Sequence, residues 1–458
     1  MPDELRLVAI NGMLGYGYDL ASLENGIATQ PHLFGVDAGS TDAGPYYLGH
    51  GRSLTSARQV ERDLEGALRA VKRSGVPLVI GSAGFGGASV HVDFCLERLA
   101  RVASGLSESF RCAVIRADLD REMVKGAIVE QKVRPLGNAP EIGPDDIDDL
   151  TQLVGQIGTD AFAPALSEPD VEIVIAGRAC DTAIYATLPI MKGFDPGLAL
   201  HMGKIMECGA QCALPLAPND CLLAIMHKNS FLIRTLNSQR TVTPESVAAH
   251  SLYEQPDPYE LHEPEGTVDM VDAVFEQVDP SSVRVSGSYL RPAEGPKTIK
   301  MEGAKLTGYR AVTIAGVHDP SVIANLDAIF EKVKDMAYTN LSSDIDPGSL
   351  TADIRVYGRD AVLGHLEPRT GVIPREVGVL LEVIGPTQEI ASAFLALLRS
   401  SMLHCPFKGR KTTAGNLAFP FSPSDFQGGP VYEFSVYHLL ETEDYGSLFA
   451  PEFLTLGG

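Results

Sequence analysis

Positive charge is scarce in this sequence, as are cysteines and long apolar runs. The 458 residues include 37 lysines and arginines against 59 aspartates and glutamates, which gives a formal net charge of -22. A surface with this balance repels phosphate backbones and anionic lipid, so we expect neither a nucleic-acid partner nor a membrane partner. An anionic substrate would then require a locally basic pocket.

The few cysteines and the short apolar runs exclude two further classes of protein. The seven cysteines are an odd number scattered along a long chain, so we expect small buried hydrophobic residues rather than a disulfide framework. No stretch reaches the roughly 18 apolar residues of a membrane span, and MPDELRLVAI (1–10) lacks the basic start of a signal peptide. We therefore expect a cytosolic protein.

The first half of the chain repeats an apolar run, a glycine-rich turn and an amphipathic helical stretch. The runs are LRLVAING (5–12), HLFGVDAG (32–39), VPLVIGSAG (76–84), RCAVIRADL (111–119) and VEIVIAG (171–177). Apolar strands that alternate with helices predict an α/β fold, a parallel open sheet with helices on both faces. Ligands of such sheets bind at the carboxyl ends of the strands.

The composition changes twice further along the chain. Length alone suits two or three domains. We predict that residues 1–240 form the α/β domain that carries the site and that 241–300, rich in proline and glutamate, form a connecting region. Alternating strands and amphipathic helices then predict a smaller C-terminal α+β domain over 301–458.

The stretch DAGSTDAGP (37–45) follows a predicted strand and holds two carboxylates. Asp37 and Asp42 flank Ser40, and the pair could hold a divalent cation such as Mg²⁺ or divide acid and base roles. Asp, Ser and Gly are also the residues of tight turns, which is the structural alternative.

The glycine-rich stretch GSAGFGG (81–87) follows the next predicted strand. The backbone at Gly84, Gly86 and Gly87 could bind a substrate phosphate or carboxylate against the N-terminus of the helix that begins near Ser89. The stretch matches neither a Walker A loop nor a full dinucleotide-binding motif, and glycines also permit close packing of helix on sheet.

Arg178 and Asp181 lie in GRACDTAIY (177–185), where another predicted strand ends. Arg178 could bind a substrate carboxylate in a bidentate way, with Asp181 beside it in the site. The alternative is that Asp181 caps the next helix and pairs with Arg178.

The stretch HMGKIMECGAQC (201–212) predicts a helix up to Gly209. Lys204 lies three residues before Glu207 and four before Cys208, so all three meet on the helix surface. The ammonium would favour a Cys208 thiolate nucleophile, and Glu207 is a candidate general base. A surface Lys–Glu pair beside a buried cysteine is the alternative, and the C-x3-C spacing also permits an iron–sulfur ligand set, although such motifs are normally spaced more tightly.

Basic residues cluster late in the chain. Arg310 lies in KMEGAKLTGYRA (300–311), and Arg410 and Lys411 lie in FKGRKTTAGN (407–416). They could neutralise a substrate carboxylate or a CoA phosphate, or they could belong to solvated loops.

Three stretches resemble one known family. IAGRACDTAIYATLP (175–189), ECGAQ (207–211) and KLTGYRA (305–311) are similar in order and spacing to the acyclic terpene utilisation family of AtuA type, over roughly residues 5–315. The resemblance implies a role in bacterial catabolism of branched or unsaturated carboxylic acids, often as CoA thioesters.

The leading hypothesis is a hydratase/lyase that acts on an unsaturated or hydroxy acid, as a small anionic carboxylate or as a CoA thioester. Arg178 and the Gly81–Gly87 loop would bind the substrate, Glu207 or Asp42 would move the proton, and Lys204 or a divalent cation would stabilise enolate-like charge.

Two further hypotheses stay open. One is an amide or thioester hydrolase with Cys208 or Ser40 as nucleophile, although no G-x-S-x-G motif supports it. The other is a non-catalytic subunit whose pocket needs a partner chain. We expect a homo-oligomer, with a small partner subunit as an additional option.

Overall fold

The computed structural model describes residues 2–216, 219–343, 345–369, 371–410, 415–443 and 445–457. These residues pack into two compact units. One consists of Met1–Lys305 together with Phe434–Gly458, and the other consists of Leu306–Glu433.

Helices and strands alternate through the first half of the chain. In order they are β1 (Leu5–Ala9), α1 (Leu20–Ala28), β2 (Leu33–Asp37), α2 (Tyr46–His50), α3 (Ala57–Ser74), β3 (Leu78–Gly81), α4 (Ser89–Leu106), β4 (Ser109–Ile115), α5 (Arg121–Val129), β5 (Val133–Pro135), α6 (Pro144–Asp148), β6 (Leu150–Gly155), α7 (Thr159–Ser167), β7 (Ile173–Ala176), α8 (Ala183–Met191) and α9 (Pro196–Met206).

Strands dominate the second half. In order the elements are β8 (Leu222–His227), β9 (Ser230–Thr235), α10 (Pro244–Ser251), β10 (Glu260–Glu263), β11 (Gly266–Asp269), β12 (Val274–Asp279), β13 (Ser282–Ser286), β14 (Tyr289–Pro292), β15 (Lys297–Val317), α11 (Pro320–Ile323), α12 (Leu326–Thr339), β16 (Thr351–Tyr357), β17 (Val377–Gly385), α13 (Gln388–His404), β18 (Asp425–Thr442), α14 (Tyr445–Leu448) and β19 (Glu452–Gly457).

The large sheet of the first unit is mixed. Its strand order is β12-β13-β9-β8-β1-β2-β3-β7-β4-β19. The neighbours from β1 to β4 pair in parallel, whereas β8 and β19 join this centre in antiparallel orientation. A mixed α/β fold is thus confirmed, with the predicted parallel strands at the centre and antiparallel strands on both sides.

Alternate residues of the central strands enter two separate cores, because successive side chains of a strand point to opposite faces. Leu33 of β2 packs in one core with residues of α8 and α9, and Phe34 packs in the other with residues of α3 and α4. Helices therefore cover both faces of the sheet, which is why the strands are apolar almost throughout.

Helix α3 illustrates how sequence sets one of these layers. Ser56 and Gln59 form a capping box at its start, and Gly75, with φ of 69°, ends it in the left-handed conformation that suits glycine. Val60, Leu64 and the other apolar residues at helical spacing are buried, while the opposite face is charged.

In the second unit, residues 309–317 of β15 pair antiparallel with β17, which pairs antiparallel with β16. Helices α11, α12 and α13 contribute side chains such as Phe330 and Phe394 to a core that these strands share. An antiparallel sheet of this kind commonly has one face on the core and one in solvent.

Residues 241–300, predicted as a connecting region, hold helix α10 and strands β10 to β14. The division of the structure into two packing units does not show which segments fold as separate domains. The domain boundaries predicted at 1–240, 241–300 and 301–458 therefore stay predictions.

Candidate functional site

An open cavity of about 280 Å³ lies where the loops after β1, β2 and β7 meet the residues that follow α9. Carboxyl ends of parallel strands are the expected position of a site in this kind of sheet. The residues that line the cavity are Gly12, Met13, Tyr16, Asp37, Ser40, Asp42, Asp181, Glu207, Cys208, Gln211, Asn219, Tyr253 and Glu254. The candidate stretches 37–45, 177–185 and 201–212 thus contribute residues to the lining, and the Gly81–Gly87 loop does not.

Two glycines bring the end of α9 against the loop after β1. The α-helix ends at Met206, and Gly209 beyond it has a φ of 59°. A Cβ atom on Gly12 would lie 2.6 Å from the carbonyl oxygen of Cys208, and one on Gly209 would lie 2.7 Å from the amide nitrogen of Gly12. Only glycine permits this approach, which fixes Glu207 and Cys208 at the cavity wall.

Glu207 and Lys204 form a buried ion pair. Lys204 Nζ lies 2.5 Å from Glu207 Oε1, and the two residues are 4% and 7% exposed. Burial raises the pKa of Glu207, and Asp181 raises it further, so that the pKa reaches about 8 despite the opposing Lys204. The predicted i,i+3 contact is present, but it is buried rather than on the surface.

Two further carboxylates line the cavity, the buried Asp37 and the partly exposed Asp181. Oδ1 of Asp37 accepts hydrogen bonds from the amides of Ala38 and Gly39 at 2.9 and 3.4 Å. Burial and the charge of Asp181 raise the pKa of Asp37 well above its ordinary value. Burial also raises the pKa of Asp181, whose Oδ1 has no hydrogen-bond partner among the described residues. Burial therefore favours the protonated forms of both Asp37 and Asp181, although Arg178 opposes it at each.

The outer carboxylate, Asp42, is exposed at the cavity rim. Its backbone N–H donates to Ser40 Oγ at 3.1 Å, which is the turn contact considered as the alternative for this stretch. Asp42 therefore lies in the cavity lining but is exposed, whereas Asp37 is buried.

Arg178 is buried in an ion-pair network. Its Nε donates to Glu302 Oε2 at 2.8 Å, its Nη1 donates to Ser82 Oγ at 3.1 Å, and Asp181 lies 3.8 Å from Nη1. Glu302 also contacts Lys300 Nζ at 2.9 Å. Burial opposes ionisation of Glu302, but Arg178 and Lys300 outweigh it and lower the pKa to about 2. The predicted substrate contact of Arg178 stays a prediction, and these contacts favour the ion-pair alternative, with Glu302 rather than Asp181 as main partner.

The Gly81–Gly87 loop packs against protein instead of lining a cavity. A Cβ atom on Gly87 would lie 2.2 Å from the Arg178 amide nitrogen, and one on Gly84 would lie 2.5 Å from the His91 carbonyl oxygen; Gly86 faces the His91 ring. At the start of α4, Asp118 accepts the Ser89 N–H at 2.9 Å, in the position that an anion would take. The predicted anion contact stays a prediction, and the contacts favour the packing alternative.

Cys208 is the partly exposed cysteine of the described chain, and the others are buried. Burial and Glu207 raise the pKa of its thiol far above the ordinary value, and Lys204 does not compensate. This direction is opposite to the expectation that Lys204 favours a thiolate. The nucleophilic role stays a prediction that now requires a separate source of activation.

A further carboxyl group, half-buried, lies beside the site. Glu263, at the end of β10, accepts hydrogen bonds from the Cys180 thiol at 2.7 Å and the Thr182 hydroxyl at 2.9 Å. Burial and Glu265 raise its pKa to about 8. Sequence reasoning missed Glu263, since nothing in ELHEPEG indicates that this glutamate contacts Cys180 and Thr182.

Arg310 and Arg410, two of the basic residues late in the chain, lie in the second unit. Arg310 forms an ion pair with Glu382 in the second unit. Arg410 in the same unit donates from Nη1 to the His404 carbonyl at 2.9 Å, and Lys411 lies outside the described residues. The substrate contacts predicted for these three residues stay predictions.

Neither a metal-ligand cluster nor a membrane-spanning helix is present among the described residues. Within those residues, no group of three or more His, Cys, Asp or Glu side chains could hold a metal ion. None of the helices described has the length and apolar character to cross a bilayer. The Mg²⁺ prediction stays a prediction.

Comparisons with known proteins identify the family. A family model described as "Acyclic terpene utilisation family protein AtuA" matches residues 51–413, which is most of the chain. Comparison with curated proteins gives no match, and comparison with solved structures gives none either. The matched range includes the loops around Arg178 and Glu207 that carried the resemblance in sequence. The chain belongs to the acyclic terpene utilisation AtuA family.

Proposed function

We propose that the protein is a hydratase/lyase that adds water to, or removes it from, an acyl thioester next to the carbonyl group. Family membership links the chain to acyclic terpene utilisation, a catabolic process. The single observation that carries the proposed reaction is Glu207, a buried carboxyl group at the wall of a cavity whose pKa lies near neutrality. A group of this kind can both take and return a proton at physiological pH.

In the dehydration direction, the carboxylate form of Glu207 takes the proton from the carbon next to the carbonyl. The C–O bond at the following carbon breaks, a C=C bond forms, and the leaving hydroxyl takes the proton from Glu207 and departs as water. Glu207 ends as it began, so the step balances without a further reactant. Lys204, 2.5 Å from the carboxylate, keeps Glu207 oriented and prevents its pKa from rising further.

The charges of the cavity favour a thioester over a free acid. The charged side chains that line it within the described residues are all carboxylates, and Lys204 and Arg178 are already paired with Glu207 and Glu302. A free carboxylate on the carbon next to the reacting centre would be repelled by Asp42 and Glu254. A thioester carries no charge at that position.

The test is a panel of enoyl-CoA and 3-hydroxyacyl-CoA esters with the matched free acids, with and without Mg²⁺. Thermal stability finds the ligands, since a ligand at a hundredfold excess over its Kd stabilises by about 2.7 kcal/mol. Incorporation of oxygen-18 from labelled water into the acyl group then measures water addition. Incorporation by the wild type that is lost in Glu207→Gln supports the proposal. Binding of the esters without any incorporation contradicts it.

The thiol hydrolase is the weaker candidate. The raised pKa of Cys208 leaves its sulfur protonated at neutral pH, and the described residues place no histidine in the cavity lining. Full turnover by Cys208→Ser would exclude this alternative.

A further inference from the structure

Tyr185 carries a buried hydroxyl group that has no hydrogen-bond partner among the described residues. The residue is 0% exposed and lies in the first turn of α8, four residues after Asp181. Leaving a buried hydroxyl unpaired destabilises a fold, so such a group requires an explanation: an ordered water, a ligand or a catalytic role.

The ring of Tyr185 lies directly over Gly35 in strand β2. A Cβ atom on Gly35 would be 2.3 Å from a carbon of the ring edge and 2.9 Å from Cζ, the carbon that bears the hydroxyl. Residues two apart in a strand point to the same face, so Asp37 follows Gly35 on the face that Tyr185 covers. Glycine at position 35 thus leaves room for the phenol ring on this face of β2, two residues before Asp37.

Electrostatics agree with this position. After burial, the charges that most raise the pKa of the Tyr185 phenol are those of Asp37 and Glu207. Burial and these charges favour the neutral phenol of Tyr185, and burial and Asp181 favour the protonated form of Asp37. Oδ1 of Asp37 is occupied by two backbone amides, which leaves Oδ2 to carry the proton.

We propose that Tyr185 and Asp37 are the two donors that bind the carbonyl oxygen of the substrate and stabilise the enolate formed there. The assignment rests on the proposed function, and it names the substrate class as a carbonyl compound with a removable proton on the adjacent carbon.

The chemistry of the pair fits this role. When Glu207 takes the proton, the electron pair of the C–H bond moves to the carbonyl oxygen, which becomes an oxyanion. A neutral phenol and a neutral carboxylic acid can each donate a hydrogen bond to that oxygen without adding charge to the cavity. A buried Tyr with a protonated Asp serves as an oxyanion hole in ketosteroid isomerase, an unrelated enzyme. Removing one such donor lowers turnover by about 10²–10³-fold.

The first variant is Tyr185→Phe, which removes only the unpaired oxygen. Turnover should fall about 10²–10³-fold with little change in KM, while Tm stays constant or rises. The matched control is Tyr445→Phe, whose buried hydroxyl is bonded to Gly158 and Gln156; there Tm should fall and turnover should stay. Unchanged turnover in Tyr185→Phe would overturn the assignment.

The second variant pair separates the protonated from the ionised form of Asp37. Asparagine keeps a neutral group that accepts from the two amides and donates into the cavity, so Asp37→Asn should retain turnover within about tenfold, whereas Asp37→Leu should lose about 10²–10³-fold. If Asp37 acts instead as a carboxylate base or a cation ligand, Asp37→Asn will be as inactive as Asp37→Leu. That result would overturn the donor role.

Deuterium exchange keeps this assignment distinct from the proposed water addition. 3-Methylbutanoyl-CoA has no hydroxyl group that can leave as water, so the enzyme can only remove and return the proton next to its carbonyl group. In D₂O, NMR measures enolate formation as the replacement of this proton by deuterium. Exchange by the wild type that is reduced in Tyr185→Phe supports the donor pair even if no enoyl ester is hydrated. Water addition that persists in Tyr185→Phe leaves the hydratase proposal intact and overturns the donor pair. Absence of exchange in the wild type overturns it as well.

Discussion

Glu207 and Glu302 are two buried glutamates of the same unit, and each lies within 2.8 Å of a cation. The pKa of Glu207 is raised above its ordinary value, whereas that of Glu302 is lowered. Burial raises the pKa of both. Two cations, Arg178 and Lys300, outweigh burial at Glu302 and bring its pKa to about 2. Glu207 has Lys204 alone and faces Asp181, so its pKa reaches about 8.

Because both glutamates are buried, the difference between their pKa values comes from the charges around them. Those charges decide whether a buried carboxyl group remains a fixed anion or can exchange a proton. With a pKa of about 2, Glu302 stays ionised near neutral pH, so it does not exchange protons there and neutralises buried cations. Glu207 lies near the midpoint of its titration, where a carboxyl group exchanges protons readily. Variants of the two residues should therefore fail in different ways.

The largest effect is expected for Glu302→Ala. Removing this carboxylate leaves Arg178 buried without its main partner, which should lower the free energy of unfolding by about 3–5 kcal/mol. Urea denaturation measures the change. The control is Glu172→Ala, which breaks the partly exposed pair with Lys72 and should cost no more than about 1 kcal/mol. Equal losses in the two variants would contradict the structural role of Glu302.

Glu207→Gln should have a large effect on turnover and a small one on stability. The amide retains an oxygen for Lys204 but cannot move a proton, so turnover should fall about 10²–10⁴-fold. Ligand-induced shifts in Tm should persist, because the cavity keeps its shape. Retained turnover, or loss of binding together with turnover, would count against Glu207 as the proton carrier.

The pH dependence of stability should separate the two residues by sign. The pKa of Glu207 is raised from 4.5 in the unfolded chain to about 8 in the folded state. Between these pH values the folded protein binds more protons than the unfolded chain does. The contribution of Glu207 to stability is therefore lost as pH rises towards 8. Glu302 has a lowered pKa, so its contribution is present above about pH 4.5 and is lost as pH falls towards 2.

Each pKa unit corresponds to about 1.4 kcal/mol, which sets the scale of both slopes. Denaturant titrations at several pH values, with the wild type compared with Glu207→Gln and Glu302→Gln, give the difference curves. Slopes of the same sign in the two difference curves would refute the comparison.

The smallest effect concerns Cys208. Because its thiol is protonated at neutral pH, iodoacetamide should alkylate native Cys208 more slowly than a free thiol. Glu207 contributes to that raised pKa, so Glu207→Gln should accelerate the reaction. Mass spectrometry of the modified peptide gives the rates, with Cys208→Ser as the blank. Rapid alkylation in the wild type would restore the thiol hydrolase as a candidate.

Local features of the chain predicted part of this arrangement. Apolar runs that end in glycine predicted the parallel strands at the centre of the large sheet, and helical spacing predicted that Lys204 meets Glu207. Glu302 was not foreseeable as the partner of Arg178, because the two are 124 residues apart and no periodicity links them. Tyr185 was missed for a different reason, since a tyrosine in an apolar helix is the common composition of a core.

The glycine-rich loop shows the limit of motif reasoning. GSAGFGG has the composition of an anion-binding turn, yet its glycines accommodate His91 and the Arg178 backbone. Sequence specifies that a residue has no side chain, but not which atoms occupy the space that remains. Only the positions of the neighbouring elements decide between a ligand and packing.

The strand order of the large sheet constrains how the protein folds. β3 and β4 are consecutive parallel strands, and β7, which follows β4 by almost sixty residues, lies between them. Direct pairing of β3 with β4 would close the position that β7 must occupy. Such a non-local arrangement slows folding and exposes unpaired strand edges until the last partner arrives. The loop that carries Arg178 and Asp181 follows β7, so the site can be assembled only after this insertion.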